Sequence, residues 1–201
     1  MPGASESGLK EDLTRRMFFL RSMLAQPRQV GAVWPTSRRA VRDLLDMGDI
    51  ASARTVVEFG VGTGVYTREI VDRLGPDSKF LAFEIDSKLA SSVSKELRDP
   101  RLRVINDSAE NAESYLEGDK ADVIISSLPF TTFPAPLRDN ILDLSRRALS
   151  PGGVMLVLQY SPRVLPYLRR RFFRIERRIS PLNVPPAFLY ACEGPSQMEG
   201  S

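Results

Sequence analysis

Three short stretches of this chain hold residue types that could bind a nucleoside and leave room for chemistry beside it. The first is Glu58–Phe59–Gly60–Val61–Gly62–Thr63–Gly64. Glycines after a strand let the backbone turn sharply and let a ligand approach the main chain. A nicotinamide or flavin fold calls for G-x-G-x-x-G, whose third glycine would fall at 65. Val65 stands there, and the spacing is G-x-G-x-G. The second is Glu84, at the end of the next apolar run. Its carboxylate can accept from both hydroxyls of a ribose. The third is Asp107, after a further run, able to accept from an adenine amino group. Their neighbours Ile85, Ser108 and Ala109 complete the candidate cofactor set together with Glu58, Gly60, Gly62, Thr63, Gly64 and Ser126. A fourth stretch, Ser126–Ser127–Leu128–Pro129–Phe130, follows the fourth apolar run, at the edge where open α/β sheets hold their ligands.

These residues need a sheet to present them, and the sequence predicts one. Thr55–Phe59, Lys79–Ile85, Arg101–Ile105, Ala121–Ser126 and Val154–Tyr160 read as strands. Val65–Leu74, Ser87–Leu97 and Pro136–Leu149 read as helices, with turns at Gly75–Pro76–Asp77 and Pro151–Gly152–Gly153. The alternation implies a mostly parallel sheet covered on both faces. The ending differs. Residues 173–179 alternate apolar and charged, a loop holding Pro181, Pro185 and Pro186 follows, and Ala187–Cys192 closes as a short strand. Two strands joined without a helix should pair antiparallel. Ahead of the sheet, Leu9, Leu13, Met17, Leu20 and Leu24 form an apolar helical stripe widened by Phe18, Phe19 and Met23. Lys10, Arg15, Arg16 and Arg21 lie beside it, and Pro27 ends it. A second helix is expected from about Pro35–Thr36–Ser37 to Met47. The expected organisation is a tail at 1–8, an amphipathic lid and substrate region at 9–50, a cofactor domain at 51–193 and a tail at 194–201, both tails disordered.

Composition excludes several chemistries. The 201 residues contain no histidine, which removes imidazole as base or metal ligand, and one cysteine, Cys192, so neither a zinc site nor an internal disulfide is expected. No run reaches membrane-spanning length and no signal-peptide pattern opens the chain, which points to a cytoplasmic protein. The net charge of +3 hides an uneven distribution: residues 9–46 carry +4, residues 163–178 carry +6, and 47–162 carry −4. Basic flanks suit a polyanion, either a membrane surface or nucleic acid, although like-charge blocks also occur as plain solvated faces.

The order E-F-G-x-G-T-G, Glu84, Asp107 and S-L-P-F resembles the class I S-adenosylmethionine-dependent methyltransferases. S-L-P-F is similar to the N-L-P-Y signature of ribosomal RNA adenine dimethyltransferases, with Ser127 in the asparagine's place. Serine lacks the paired donor and acceptor with which an amide holds a flat adenine amine. The helical RNA-binding domain of those enzymes is not expected in these 201 residues. A closer resemblance, over most of residues 9–193, is to the bacterial phospholipid N-methyltransferases. It rests on the amphipathic first helix, Gly31–Ala32–Val33–Trp34–Pro35–Thr36–Ser37–Arg38, the S-L-P-F motif and Asn183–Val184–Pro185–Pro186–Ala187–Phe188–Leu189–Tyr190. That resemblance implies a Rossmann-like, seven-stranded sheet, mostly parallel with an antiparallel last strand, preceded by N-terminal amphipathic helices. It implies S-adenosylmethionine as cofactor and methylation of phosphatidylethanolamine towards phosphatidylcholine. Other amino lipids, such as ornithine lipid, and a ribosomal RNA adenine stand as alternatives.

A basic amphipathic helix suits an anionic membrane interface, so Arg15, Arg16, Phe18, Phe19 and Arg21 are the expected anchor. The same stripe would equally pack on the protein's own sheet. A monomer attached peripherally to the inner face of the cell membrane is expected, with no metal and no nucleic-acid partner. The substrate is an ammonium ion that must lose a proton before displacing the methyl group. Without histidine, Ser127, Tyr190, water and the carbonyls of residues 127–129 are the candidate acceptors. Trp34, Phe130, Phe133 and Tyr190 could face a methylated ammonium. Leu128 and Pro129 would shape the pocket, and Arg38 or Arg178 could hold the lipid phosphate. A cofactor-fold protein without catalysis is disfavoured by the intact Gly60, Glu84 and Asp107.

Overall fold

The computed structural model describes residues 36–181, 183 and 185–194. The expected tail at 1–8, the apolar and basic stripe of 9–24, its stop at Pro27, Trp34 and residues 195–201 lie outside the described residues.

The first described helix, α1 (Arg38–Leu45), starts where a side-chain acceptor stands. The Ser37 hydroxyl takes the Ala40 N–H at 3.1 Å. Ala40, Val41, Leu44 and Leu45 form its buried face. The alternating part then runs β1 (Thr55–Phe59), α2 (Val65–Val71), β2 (Lys79–Phe83), α3 (Ser87–Glu96), β3 (Leu102–Ile105), α4 (Ala112–Leu116), β4 (Ala121–Ser126), α5 (Ala135–Ala148) and β5 (Leu149–Gln159). After α6 (Leu165–Arg169) come β6 (Arg174–Ser180) and β7 (Ala187–Glu193). The seven strands lie in the order β3-β2-β1-β4-β5-β7-β6. The pairs within β3-β2-β1-β4-β5 are parallel, and β7 is antiparallel to both its neighbours. The expected seven-stranded sheet with an antiparallel last strand is what forms.

Strand alternation sorts the side chains onto two faces. One carries Val56, Phe80, Ala82, Val123, Ile125, Leu156, Leu158 and Leu189, packed with Ala40, Val41, Leu44 and Leu45 of α1 and Tyr66 and Ile70 of α2. Phe59 and Phe83 point the other way and meet edge to face at a centroid distance of 5.9 Å, and Phe83 meets Tyr115 of α4 in the same way at 5.4 Å. All five residues of β1 are buried, as expected of a central strand covered on both sides.

One strand start and two short helices depart most from the sequence pattern. β5 begins at Leu149 rather than Val154, because the strand runs through Pro151–Gly153 with a shift of register against Ala121 and Val123. A Cβ on Gly153 would sit 3.0 Å from the Ala121 carbonyl, so the close approach requires glycine there. The five-residue helices α4 and α6, each preceded by a 3-10 turn, were not anticipated. A single turn and a half is too short to show a periodic pattern.

Candidate functional site

The glycine turn leaves β1 at its carboxyl end. Gly60, Gly62 and Gly64 all have positive φ, at 87°, 54° and 79°. At Gly60 the space is also tight, since a Cβ would lie 3.1 Å from Leu128 Cδ2 and 3.3 Å from Ser127 Oγ. At Gly62 it would meet nothing within 4 Å, so the backbone there borders open space. Glu84, 4% exposed, underpins the turn: Oε2 accepts the Gly62 N–H at 2.8 Å and Oε1 the Asp86 N–H at 2.8 Å. Each oxygen keeps a second lone pair, so the carboxylate could still accept from two hydroxyls. Asn106, not singled out from sequence, donates to the carbonyls of Glu84 and Ile85 and fixes the end of β2.

Asp107 sits one strand further out. Its Oδ1 accepts from Ser108 N and Asn111 Nδ2, and its Oδ2 from the Tyr115 hydroxyl at 2.8 Å. One lone pair on Oδ2 is left for an incoming donor. Ser108 caps the 3-10 turn Ala109–Asn111, and Ile85, Ser108 and Ala109 are buried beside Asp107. The candidate cofactor residues therefore converge along one edge, over β1, β2 and β3.

The Ser126–Phe133 segment leaves the neighbouring strand β4 at the same edge. Ser126 is fully buried, and its hydroxyl accepts the Leu128 N–H at 3.3 Å. The Ser127 hydroxyl is committed to the Gly60 carbonyl at 3.1 Å, which ties this loop to the glycine turn. The Leu128 carbonyl accepts from Phe130 N and from Gln159 Nε2, and the Pro129 carbonyl from both N and Oγ1 of Thr132. Both carbonyls are saturated, so these two of the three expected acceptors (127–129) have no free capacity for a proton. Phe130 and Phe133 are 0% and 5% exposed and stack edge to face at 6.2 Å. They support the loop from beneath, and Phe130 offers no open ring face to a ligand. Gln159 fixes the loop from β5; its place at a strand's carboxyl end was the one signal that could have found it.

Two expected site residues, Tyr190 on β7 and Arg178 on β6, stand on strands away from β4. Tyr190 pairs in register with Val157, which pairs with Ser126, so it lies two strands from Ser126, about 10 Å. It is completely buried and its hydroxyl has no partner among the described residues. Burial raises its pKa. Arg178 is exposed on the outer strand β6 and pairs with Glu176 at 2.8 Å. Arg38 opens α1 on the surface. Part of the basic segment is internally neutralised too: Arg171 pairs with Asp143 at 2.7 Å and Arg174 with Glu193 at 3.7 Å.

Glu58 is unusual. It is 1% exposed, and neither carboxylate oxygen has a hydrogen-bond partner among the described residues. Burial pushes its pKa up to about 8, the Thr67 hydroxyl opposes this, and the nearby Glu84 charge adds to it. The hydroxyls of Tyr66 and Thr67, on the adjoining turn of α2, are also buried without partners. A buried polar cluster that the protein leaves unsatisfied is costly, and a ligand bringing donors or positive charge would relieve it.

Residues 56–153 match the family model described as a methyltransferase domain. Over 148 residues the chain is 30% identical to an ornithine lipid N-methyltransferase of Singulisphaera acidiphila, covering 71% of this chain and 77% of that protein. The chain belongs to the class I S-adenosylmethionine-dependent methyltransferases. It is also 25% identical over 126 residues to ribosomal RNA small subunit methyltransferase A of Dehalococcoides mccartyi, spanning 41% of that protein. Among solved structures, the N-methyltransferase NodS of Bradyrhizobium japonicum, in complex with S-adenosylhomocysteine, superposes with a TM-score of 0.65. The identity is 11%, over 79% of this chain and 87% of that one. The methyltransferase's own residues fit the cofactor that its class uses. The backbone is bare at Gly62, Glu84 and Asp107 keep acceptor capacity, and Glu58 waits unpartnered at the same edge. Among the described residues no cluster of His, Cys, Asp or Glu could hold a metal ion, and no helix is long and apolar enough to cross a membrane.

Proposed function

We propose that this methyltransferase transfers the methyl group of S-adenosylmethionine to the amino group of a membrane amino lipid. Phosphatidylethanolamine, carried towards phosphatidylcholine, is the first reading. Ornithine lipid is the second, favoured by the name of the S. acidiphila relative. The observation that carries the proposal is the 30% identity to that lipid N-methyltransferase over three quarters of its length.

In this reading Gly60, Gly62, Thr63 and Gly64 let the cofactor lie against the main chain. Glu84 accepts from the ribose, Asp107 with Ile85, Ser108 and Ala109 receives the adenine, and Glu58 faces the positively charged end. The cofactor supplies an electrophilic methyl on a sulfonium. The protein's part is to align the amine with it and exclude water. The Ser126–Phe130 loop, clamped by Gln159 and by Ser127 on Gly60, forms the wall beside the reacting centre. Ser127 argues for a lipid amine over RNA, because its hydroxyl is already committed to Gly60 and it has no amide with which to grip an adenine.

We further read the protein as a monomer bound peripherally to the inner face of the cell membrane. Arg15, Arg16, Phe18, Phe19 and Arg21 would be its anchor, and Trp34 and Arg38 would lie beside the lipid. The test offers labelled S-adenosylmethionine with phosphatidylethanolamine vesicles, ornithine lipid vesicles and ribosomal RNA in parallel. Label should enter a lipid and not RNA; label in RNA alone overturns the reading.

A further inference from the structure

The outer strand β6 pairs with β7 alone, so its other side is an open edge. Six arginines are exposed on it and just before it: Arg163, Arg169, Arg170, Arg174, Arg177 and Arg178. The exposed acid in the same stretch is Glu176, which pairs with Arg178. Charge on an open edge has a plain use, since it keeps one sheet from pairing with another. Two large apolar side chains work against that use. Phe173 is 74% exposed and Ile179 is 50% exposed.

The Phe173 N–H donates to the Glu193 carbonyl at 3.2 Å, so the ladder begins with this residue. Strand alternation then puts Phe173, Ile175, Arg177 and Ile179 on one face, and Arg174, Glu176 and Arg178 on the other. From Phe173 to Ile179 the stripe is about 20 Å long. β6 is antiparallel to β7, and β7 to β5, so β6 points the same way as β1 and β4. Ile179 is in register with Phe188, and Phe188 with Gln159. The stripe therefore ends at the sheet edge on which the glycine turn and the Ser126–Phe130 loop lie.

We propose that this face of β6, with Arg169 and Arg170 at the end of α6, rests on an anionic membrane surface. Phe173 and Ile179 enter the interface, and the arginines meet lipid phosphates. This rests on the amino-lipid reading above and adds to it a contact separate from residues 9–24. The mixture of side chains selects the partner. A nucleic acid would use the arginines and leave Ile179 in water. A second copy of the same face would set six arginines against six. A bilayer interface satisfies both kinds of group, phosphates taking the guanidinium groups and the acyl boundary taking the apolar side chains. Docked in this way, the membrane lies beside the edge where a headgroup amine has to arrive.

The test compares the parent with two variants, one carrying Arg169→Gln, Arg170→Gln and Arg177→Gln, the other Phe173→Ser and Ile179→Thr. All five side chains are exposed, so both variants should fold, which thermal unfolding checks. On phosphatidylethanolamine vesicles containing phosphatidylglycerol, half-maximal sedimentation of either variant should need about tenfold more lipid or beyond. Methylation of those vesicles should fall in step, while methylation of the same lipid dispersed in detergent should match the parent. In Phe173→Trp, brominated lipid should quench fluorescence beyond what Trp34 shows in the parent. Vesicle binding unchanged in both variants, or no added quenching at 173, overturns the surface and leaves the lipid reading standing. Loss of RNA binding in the arginine variant, with vesicle binding intact, overturns it in favour of a nucleic acid. A parent that methylates the lipid in neither form overturns the amino-lipid reading itself, and quenching at 173 then decides the surface alone.

Discussion

Glu58→Gln isolates the energetic consequence of burying an unpartnered carboxyl group. In the cofactor-free protein the group titrates at about 8 against an ordinary value of 4.5, chiefly through desolvation. Below pH 4.5 the folded and unfolded chains both hold the proton, and the shift costs nothing. Between about 4.5 and about 8 the unfolded chain binds fewer protons than the folded one, so folding stability falls as pH rises. Above about 8 both are ionised and the cost is constant. Each pH unit inside the window is worth about 1.4 kcal/mol, so the step from pH 5.5 to 7.5 costs the parent about 3 kcal/mol at this residue. Glutamine has nearly the same shape and does not titrate. Urea unfolding of both proteins at the two pH values should therefore show the stability difference moving by about 3 kcal/mol in the variant's favour, at constant m. All other titrating groups are common to both proteins and cancel. A difference that stays constant within about 1 kcal/mol would refute the reasoning, since Glu58 would then be ionised inside the folded protein or solvated.

Glu84→Ala removes the acceptor of the Gly62 and Asp86 N–H groups, and S-adenosylhomocysteine should bind at least about tenfold more weakly by calorimetry; unchanged affinity in folded protein would remove Glu84 from the site. Ser127→Asn puts a larger side chain where Ser127 Oγ now lies 3.1 Å from the Gly60 carbonyl, so thin-layer separation of labelled lipids should show methylation falling by about tenfold or more, with a smaller loss of cofactor affinity. Arg15, Arg16 and Arg21 changed together to glutamate should end sedimentation with phosphatidylglycerol-containing vesicles, since each basic residue at such a surface contributes about 1 kcal/mol.

The sheet was legible because buried parallel strands carry continuous apolar runs. Thr55–Phe59 and Ala121–Ser126 were read to the residue for this reason. The antiparallel ending was legible from the proline-rich connection that leaves no room for a helix. Glu84 and Asp107 stood out because the fold puts ligand-facing acids after successive strands. What escaped was whatever depends on contacts between distant segments. Thr36 and Tyr160 are 124 positions apart, and nothing local marks either as a partner of the other. The saturation of the Leu128 and Pro129 carbonyls depends on Gln159 and on a turn at Thr132, so the sequence reading assigned those carbonyls a free capacity they lack. Tyr190 has the chemistry of a proton acceptor. Its register with Val157 and Ser126 decides its reach, and register is a property of the paired strands.

The central claim is that methyl groups end on the nitrogen of a lipid headgroup. Mass spectrometry of lipids recovered after incubating the purified protein with S-adenosylmethionine and mixed vesicles of phosphatidylethanolamine and ornithine lipid tests it directly. One or more added methyl groups should appear on the amine-bearing headgroup fragment of one of these lipids, and be absent from the acyl chains. Lipids recovered unmodified, while ribosomal RNA in the same tube gains methyl groups, would contradict it.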